Sequence, residues 1–370
     1  MKLIMIKNNL RDGLSAASRA SGDNLKLPIL KYALIEVSDQ IRITATNLEI
    51  AITRIVPGKI IEKGKVAIPI STSLGLVSNI QSERLNLETG GGQAVIKTDN
   101  YEASIQVLPK DDFPIIPKVK DLDKFIEVDA GILGDSLDQV MAATQISELR
   151  PELNSVLLDF SVDSLRLAAT DSFRLAEKTI PSSQFKTNIS ESFNILIPLK
   201  TSQELLRVIE DGESVKIFHD QNQVLFKTSK LELVSRLIEG NFPNYETIVP
   251  KSFATEAIVA REDLINALKL SGIFSSHSNE VTISISSNKK SMEIRSASQD
   301  VGENRYVLPV KANNELEKVG FNWRYLTDGL KALRTQDVFL GINSENNKPT
   351  IIKSPNEASY FYVVMPILRT

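Results

Sequence analysis

No cysteine occurs among the 370 residues, which removes disulfide frameworks, thiolate metal sites and cysteine nucleophiles together. Histidine is scarce as well. His219 and His277 are too few and too isolated for a histidine-rich metal site or a Ser-His-Asp triad. No apolar run approaches the ~20 residues of a membrane span, and the opening MKLIMIKNNL lacks the longer apolar core and cleavage site of a signal peptide. A cytoplasmic location is therefore expected. Gly90-Gly91-Gly92 is not followed by Gly-Lys-Ser/Thr, so it reads as a hairpin turn rather than a phosphate loop. Asp111 and Asp112, beside Phe113-Pro114, read as a solvated linker rather than a metal site. The net charge of −3 at pH 7 neither announces nor excludes a nucleic-acid partner, because the distribution of charge decides that. No active site is visible, and no cofactor is called for.

What the chain has in abundance is alternation, and the alternation repeats. In QIRITATNLEIAIT, Ile41, Ile43 and Ala45 alternate with Arg42, Thr44 and Thr46, the period-two pattern of a strand with one buried face. SLRLAATDSFRLAEK does the same through Leu165, Leu167 and Ala169. The two stretches share a skeleton, since Ala45-Thr46-Asn47 recurs as Ala169-Thr170-Asp171 after 124 residues. Pro28 and Pro151 stand 123 apart, while Pro69 and Pro198, like Phe113 and Phe242, stand 129 apart. A third, more diverged copy follows: VTISISS, SMEIRSASQD, the helical NWRYLTDGLKALR and the closing SYFYVVMP. Proline-bearing connectors, KDDFPIIP and EGNFPNY, separate the copies. The pattern predicts an α+β chain of three similar domains over residues 1–120, 121–250 and 251–370, each built from sheets and two short helices. The C-terminal YFYVVMPILRT reads as the closing strand of the third domain, free to line a site.

Helical stretches carry an apolar face backed by a thin basic stripe. Leu10, Leu14 and Ala17 share one face, with Arg11 and Arg19 pointing elsewhere. Leu205, Leu206 and Ile209 group in the second copy, opposite Lys200 and Arg207. In the third, Leu326, Leu330 and Leu333 group away from Arg324, Lys331 and Arg334. Asp12, Glu204 and Asp328 dilute these stripes, yet their recurrence suits loose, sequence-independent contact with phosphates.

Along its full length the chain resembles the bacterial sliding clamps, the beta subunit of DNA polymerase III, through LPIL, ATDSFRLA, EGNFPNYETIVP and YVVMPI in that order and spacing. The resemblance implies the DNA clamp fold, a ring in which two chains join head to tail, with sheets outside and helices lining a hole around duplex DNA. It also implies a protein that is not an enzyme. Its partners would be a clamp-loader ATPase and the DNA polymerase III alpha subunit, together with other polymerases and repair proteins that dock a short peptide between the second and third domains. Carried over by position, that pocket comprises Leu153, Thr170, Leu175, Pro243, Ile248, Asn322, Tyr325, Val363, Met365 and Pro366, with Arg150, Phe173 and Arg174 beside it. Ser172-Phe173 stands where Gly-His is usual, and Thr247 where arginine is common, so the second half of the groove is expected to differ. The DNA-facing residues implied are Arg11, Arg19, Lys26, Lys200, Arg207, Arg324, Lys331 and Arg334, although Asn24, Ser71 and Leu199 replace family arginines. Ring closure would bring Ile273 and Phe274 against Leu76 and Ala103 of a second copy. The competing reading is a non-enzymatic repeat scaffold that binds peptides and never encircles DNA.

Overall fold

The computed structural model describes residues 1–144, 150–343 and 348–367, and the repeat of the sequence reappears as a repeat of elements. The first copy runs β1 (Lys2–Ile6), α1 (Lys7–Ser18), β2 (Tyr32–Val37), β3 (Ile41–Thr46), β4 (Ile50–Val56), β5 (Lys59–Glu62), β6 (Gly64–Pro69), α2 (Ile70–Asn79), β7 (Arg84–Gly90), β8 (Gln93–Lys97) and β9 (Glu102–Gln106). The second runs β10 (Ile126–Asp129), α3 (Ala130–Met141), β11 (Ser155–Ser161), β12 (Ser164–Thr170), β13 (Arg174–Pro181), β14 (Phe185–Thr187), β15 (Phe193–Pro198), α4 (Leu199–Val208), β16 (Ser214–His219), β17 (Gln223–Lys227) and β18 (Leu231–Arg236). The third runs β19 (Thr255–Ala260), α5 (Arg261–Gly272), β20 (Glu280–Ile285), β21 (Ser291–Ser298), β22 (Gly302–Pro309), β23 (Lys311–Ala312), β24 (Leu316–Asn322), α6 (Trp323–Lys331), β25 (Asp337–Ile342), β26 (Thr350–Lys353) and β27 (Tyr360–Val364). Among the described residues each copy thus has nine strands and two α-helices in one order, β-α-βββββ-α-βββ.

Local chemistry explains these elements. Ala33, Ile35 and Val37 of β2 are buried while Tyr32, Leu34 and Glu36 are only half-buried, as alternation requires. Gly91 (φ 59°) and Gly92 (φ 80°) make the two-residue turn of the β7–β8 hairpin, a conformation with both φ positive that favours glycine. Helix α1 buries Leu10, Gly13, Leu14 and Ala17. A Cβ at Gly13 would collide with Ile43 Cδ1 at 2.6 Å, so glycine sets how closely α1 lies on the sheet.

Each copy folds into a five-stranded and a four-stranded sheet, and neighbouring copies fuse them. Strand β4 of the first copy pairs antiparallel with β18 of the second, from Leu231↔Arg54 to Ser235↔Ile50. The result is a nine-stranded sheet ordered β14-β10-β16-β17-β18-β4-β3-β2-β6. In the same way β13 pairs with β27, from Arg174↔Val364 to Lys178↔Tyr360, within β15-β11-β12-β13-β27-β26-β25-β19-β23. Two smaller sheets remain, β5-β1-β7-β8-β9 and β22-β21-β20-β24. Contacts divide the chain into two compact units, Met1–Gly134 with Phe185–Ile189 and Lys200–Leu237, and Asp135–Gln184 with Ser190–Leu199 and Ile238–Thr370. Each nine-stranded sheet lies within one unit.

Most of the strand in the apolar tail is core. Tyr360, Tyr362, Val363 and Val364 are at most 2 % exposed. Helix α6 approaches this strand so closely that a Cβ on Gly329 would overlap the Tyr362 ring. Leu368 to Thr370, the last residues of the tail read above, lie outside the described residues.

Candidate partner groove, helix faces and sheet edges

The groove is built on a turn. Between β12 and β13, Asp171 Oδ1 accepts the backbone N–H groups of Phe173 (2.9 Å) and Arg174 (3.0 Å). Thr170 Oγ1 accepts from the Ser172 N–H (3.2 Å) and donates to the Arg174 carbonyl (2.7 Å). These bonds hold Ser172 at φ 77° and push Phe173 outward, 58 % exposed. The chain leaving β27 closes the other side, its Met365 N–H donating to the Phe173 carbonyl (2.8 Å) and its Ile367 N–H to the Gly320 carbonyl (2.8 Å).

Between them lies a cavity of about 530 Å³ lined by Ser172, Phe173, Ser278, Asn322, Tyr325, Met365, Pro366 and Ile367. Asn322 caps α6 by accepting the Arg324 N–H at 3.0 Å, which fixes the helix end that carries Tyr325. Arg174 works from behind. It is 9 % exposed, donates to Asp171 (2.8 Å), Asp328 (2.6 Å) and the Thr144 carbonyl (3.0 Å), and lies 4.4 Å from the Tyr325 ring centroid. Burial works against its charge, but Tyr362, Asp171 and Asp328 outweigh burial and raise its pKa. Burial, then the charge of Asp171, pushes the Tyr325 phenol up. The arrangement offers an apolar slot with an aromatic rim and few polar groups, suited to side chains of a short peptide.

Of the residues carried over by position, Phe173, Asn322, Tyr325, Met365 and Pro366 meet in this cavity. Leu153, Thr170, Leu175 and Val363 sit in the core beneath, at 4, 5, 1 and 2 % exposed, with Leu175 paired directly to Val363. Ile248 is exposed and Pro243 half-buried on the second connector. Arg150 is exposed and donates to Ser172 Oγ at 3.2 Å and Glu152 at 2.9 Å. Sequence reasoning missed Ser278 and Ile367. Ile367 follows Pro366 in the tail and was within reach of the motif, whereas Ser278 enters from a loop with no pattern of its own.

Arg11, Lys200, Arg207, Arg324 and Lys331 lie on helices, whereas Arg19, Lys26 and Arg334 lie outside them, α6 ending at Lys331 rather than running to Arg334; all are exposed, and several are already partnered. Arg11 pairs with Asp12 (3.1 Å), Arg207 with Glu204 (2.8 Å) and Arg334 with Asp135 through two bonds (2.6 and 2.9 Å). Arg324 donates to Asn279 (3.0 Å) and lies 4.9 Å from the Trp323 ring centroid. Arg19, Lys26, Lys200 and Lys331 are exposed.

The smaller sheets end in four edge strands, β5 and β9 in one and β22 and β24 in the other, each with a single strand neighbour among the described residues; of these, β9 is the last strand of the first copy and β22 the fourth of the third. Ala103 lies half-buried on β9, and Leu76 half-buried on α2. Ile273 caps α5 at 62 % exposed, followed by half-buried Phe274.

Comparison with known proteins agrees over the whole chain. The DNA polymerase III beta subunit matches in three parts, its N-terminal domain at residues 1–117, its central domain at 127–244 and its C-terminal domain at 246–368. The beta sliding clamp of Synechococcus elongatus is 27 % identical, with 99 % of each chain covered. The crystal structure of the DNA polymerase III beta subunit of Thermotoga maritima superimposes with a TM-score of 0.89 at 27 % identity, and that of the Bacillus subtilis sliding clamp with 0.93 at 24 %, each covering 100 % of both chains. With its repeat, its fused sheets and these matches, the chain belongs to the family of DNA polymerase III beta subunits, the bacterial sliding clamps.

Proposed function

We propose that this chain encircles duplex DNA as a head-to-tail dimer and tethers the replicative polymerase and other DNA-processing proteins through the groove at Phe173, Tyr325 and Met365. The observation that carries the reading is the repeated junction. Twice within the chain the fourth strand of one copy pairs with the last strand of the next, β4 with β18 and β13 with β27. The same rule leaves β22 and β9, two of the edges described above, for a second chain. Two such contacts complete a closed assembly of six copies, whereas a rotation that failed to close would give a filament. Carried into this junction, the register Arg54↔Leu231 and Lys178↔Tyr360 sets Tyr306 opposite Tyr101 of the second copy and Arg305 opposite Glu102. Tyr101 and Val307, 46 and 48 % exposed, supply apolar surface at these edges.

The cations on and beside the helices supply holding without reading bases. Arg11, Arg207 and Arg334 lend phosphates a charge that their own carboxylates partly cancel, which favours loose, mobile contact. The work is mechanical rather than catalytic, and its place is the cytoplasm. The domain boundaries proposed are 1–120, 121–250 and 251–370, each connector closing the domain that it follows. Partners are the DNA polymerase III alpha subunit, other polymerases and repair proteins bearing clamp-binding peptides, and a clamp-loader ATPase that opens the ring.

Retention on circular DNA tests the reading against a scaffold that binds peptides alone. Protein on a nicked circle should survive high salt and leave once the circle is linearised. Equal loss from circles and short linear fragments in salt alone would reject encirclement.

A further inference from the structure

The two connectors cover their sheets unequally. Residues 113–119 cross one face of the first nine-stranded sheet, and between them and the sheet lies a cavity of about 600 Å³, walled by Leu34, Ala51, Phe113, Ile116, Leu225 and Val234. At the second connector the matching positions carry bulkier side chains. Strand register puts Leu175 in the place of Ala51 and Phe361 in the place of Glu232, and the 129-residue spacing puts Tyr245 in the place of Ile116. Tyr245 is 6 % exposed, packs edge-to-face on Phe242 (centroids 5.8 Å apart, 87°) and donates its hydroxyl to Glu177 at 2.5 Å. Leu175 and Phe361 pack in the same cluster. Leucine, tyrosine and phenylalanine in one face become alanine, isoleucine and glutamate in the other. The smaller side chains leave part of that space open, and the cavity is lined as well by Arg42, Lys227, Glu36 and Glu232.

Charge differs in the same sense. Arg166 pairs with Asp159 (2.5 Å) and with Glu246 of the second connector (2.8 Å). Its counterpart in the first copy is Arg42, and the residue matching Glu246 is the exposed Pro117, which has no carboxylate to offer. Arg42 pairs instead with Glu232, which Lys227 also engages at 3.0 Å. Glu36, matching Asp159, is held by Lys65 at 2.7 Å. The first face therefore has cations sharing carboxylates beside an empty apolar space, a complement to a bound group that is both aromatic and acidic.

We propose that this cavity is a second peptide-binding site, which takes a partner segment carrying an aromatic side chain followed directly by a carboxylate. The ring fills the space that Tyr245 fills at the other connector, and the carboxylate reaches Arg42 as Glu246 reaches Arg166. The site is separate from the groove at Met365 and does not depend on encirclement of DNA.

The chain's own peptide Phe242–Val249, FPNYETIV, carrying a fluorophore, is the probe. Anisotropy with the full-length protein should saturate, and a peptide with both Tyr245 and Glu246 replaced by alanine should not bind. Ala51→Leu combined with Ile116→Tyr, the residues in those places at the second connector, fills the cavity without touching the carboxylate on Arg42 and should weaken binding by about tenfold or more. Pro117→Glu, at an exposed connector position, should weaken it in the same direction by giving Arg42 a carboxylate from within the chain. This second variant decides the matter if the cavity-filled protein fails to fold. Retention on circular DNA should be unchanged in Pro117→Glu. Absence of saturation at millimolar peptide, full affinity in Pro117→Glu, or loss of binding in Met365→Ala would overturn the proposal.

Discussion

The junctions β4–β18 and β13–β27 share a backbone and differ in what they hold. At the first, Asn47 Oδ1 accepts from the Glu49 and Ile50 N–H groups (3.0 and 2.9 Å) and Leu48 takes φ 78°. At the second, Asp171 does the same for Phe173 and Arg174, with Ser172 at φ 77°. The Arg236 N–H donates to the Glu49 carbonyl at 3.0 Å as the Met365 N–H does to Phe173 at 2.8 Å. Side chains alone depart: Ile50 becomes Arg174, Thr201 becomes Tyr325, and Arg236 becomes Met365. Thr201 is buried and bonded to Ser235 at 2.6 Å, whereas Tyr325 stands half-buried over a buried arginine. A turn that repetition supplies for fusing sheets is thus turned into a groove by a handful of substitutions.

Breaking the junction that would form between chains should have the largest effect on assembly. Ile273→Glu with Phe274→Glu sets charge into the apolar contact expected there, and should raise the dimer dissociation constant by two orders of magnitude or more, about 3 kcal/mol. Light scattering across a dilution series reads it. Because Ile273 is exposed in the single chain, the variant should remain folded with an ordinary melt. Exchanging Arg305→Glu and Glu102→Arg tests the register more finely: either change alone should weaken the dimer, and the pair should restore it.

On folding of the single chain, the largest effect is expected at Arg174. Ala at this position leaves Asp171, with only 3 % of its side chain exposed, without its cation, and breaking such a pair costs about 3–5 kcal/mol. Restoring the first junction's residues sharpens the comparison. Asp171→Asn with Arg174→Ile reproduces Asn47 and Ile50, so stability should largely return in a urea melt. Peptide affinity should stay low, because Tyr325 has lost the guanidinium beneath its ring. Recovery of affinity would show that Arg174 is no support of the groove.

Met365→Ala is expected to act on binding more than on folding. Met365 is half-buried at the cavity wall, and truncating such an anchor commonly costs about 2 kcal/mol of binding. A buried core methionine would instead lose about 2–5 kcal/mol of stability. Anisotropy with a polymerase-derived peptide and a thermal melt on the same variant separate the two.

A pH series probes the first junction alone. Burial opposes the charge of Glu232, but Lys227 and Arg42 prevail and hold its pKa below the ordinary 4.5. A carboxyl depressed by folding adds stability above its unfolded pKa and loses that contribution as pH falls through the folded value. Glu232→Gln should therefore be less stable than the parent chain at neutral pH, with the gap closing below pH 4.5. At the second junction the same place holds Phe361, so Phe361→Leu should show a gap that does not change with pH.

How much was legible follows from which residues speak for the backbone. Asn47 and Asp171 dictate a turn through their own side chains, and Gly91-Gly92 dictate another, so the repeat and its hairpins can be read from the chain. The third copy is harder because its equivalent turn, between Ser298 and Gly302, uses glycine at φ 114° in place of an Asx side chain. Fusion of sheets across copies leaves no local signal, since β4 and β18 pair over nearly 180 residues of intervening sequence. Candidate groove residues were legible through resemblance, yet Leu153, Leu175 and Val363 illustrate its limit: position in a motif does not say whether a side chain faces the cavity or the core. Pairing of Arg11 with Asp12 and of Arg207 with Glu204 could be read from spacing, while Arg334 with Asp135 needed the fold.

The smallest expected effect concerns the turn that both junctions share. Leu48 and Ser172 hold almost the same left-handed φ, a region that costs an L-residue about 1–2 kcal/mol, part of which glycine gives back through its greater freedom when unfolded. Leu48→Gly and Ser172→Gly should each stabilise the chain by about 0.5–1 kcal/mol, read as a small rise in the urea midpoint. Leu48 is 45 % exposed, so little apolar burial is lost with it. Ser172 differs in one respect: its hydroxyl accepts from Arg150 at 3.2 Å, on the rim of the groove. If that bond only decorates the turn, both glycine variants gain equally and peptide affinity is unchanged. A gain at Leu48 without one at Ser172, accompanied by weaker peptide binding, would mean that the second junction keeps a strained serine in order to hold Arg150 beside Phe173.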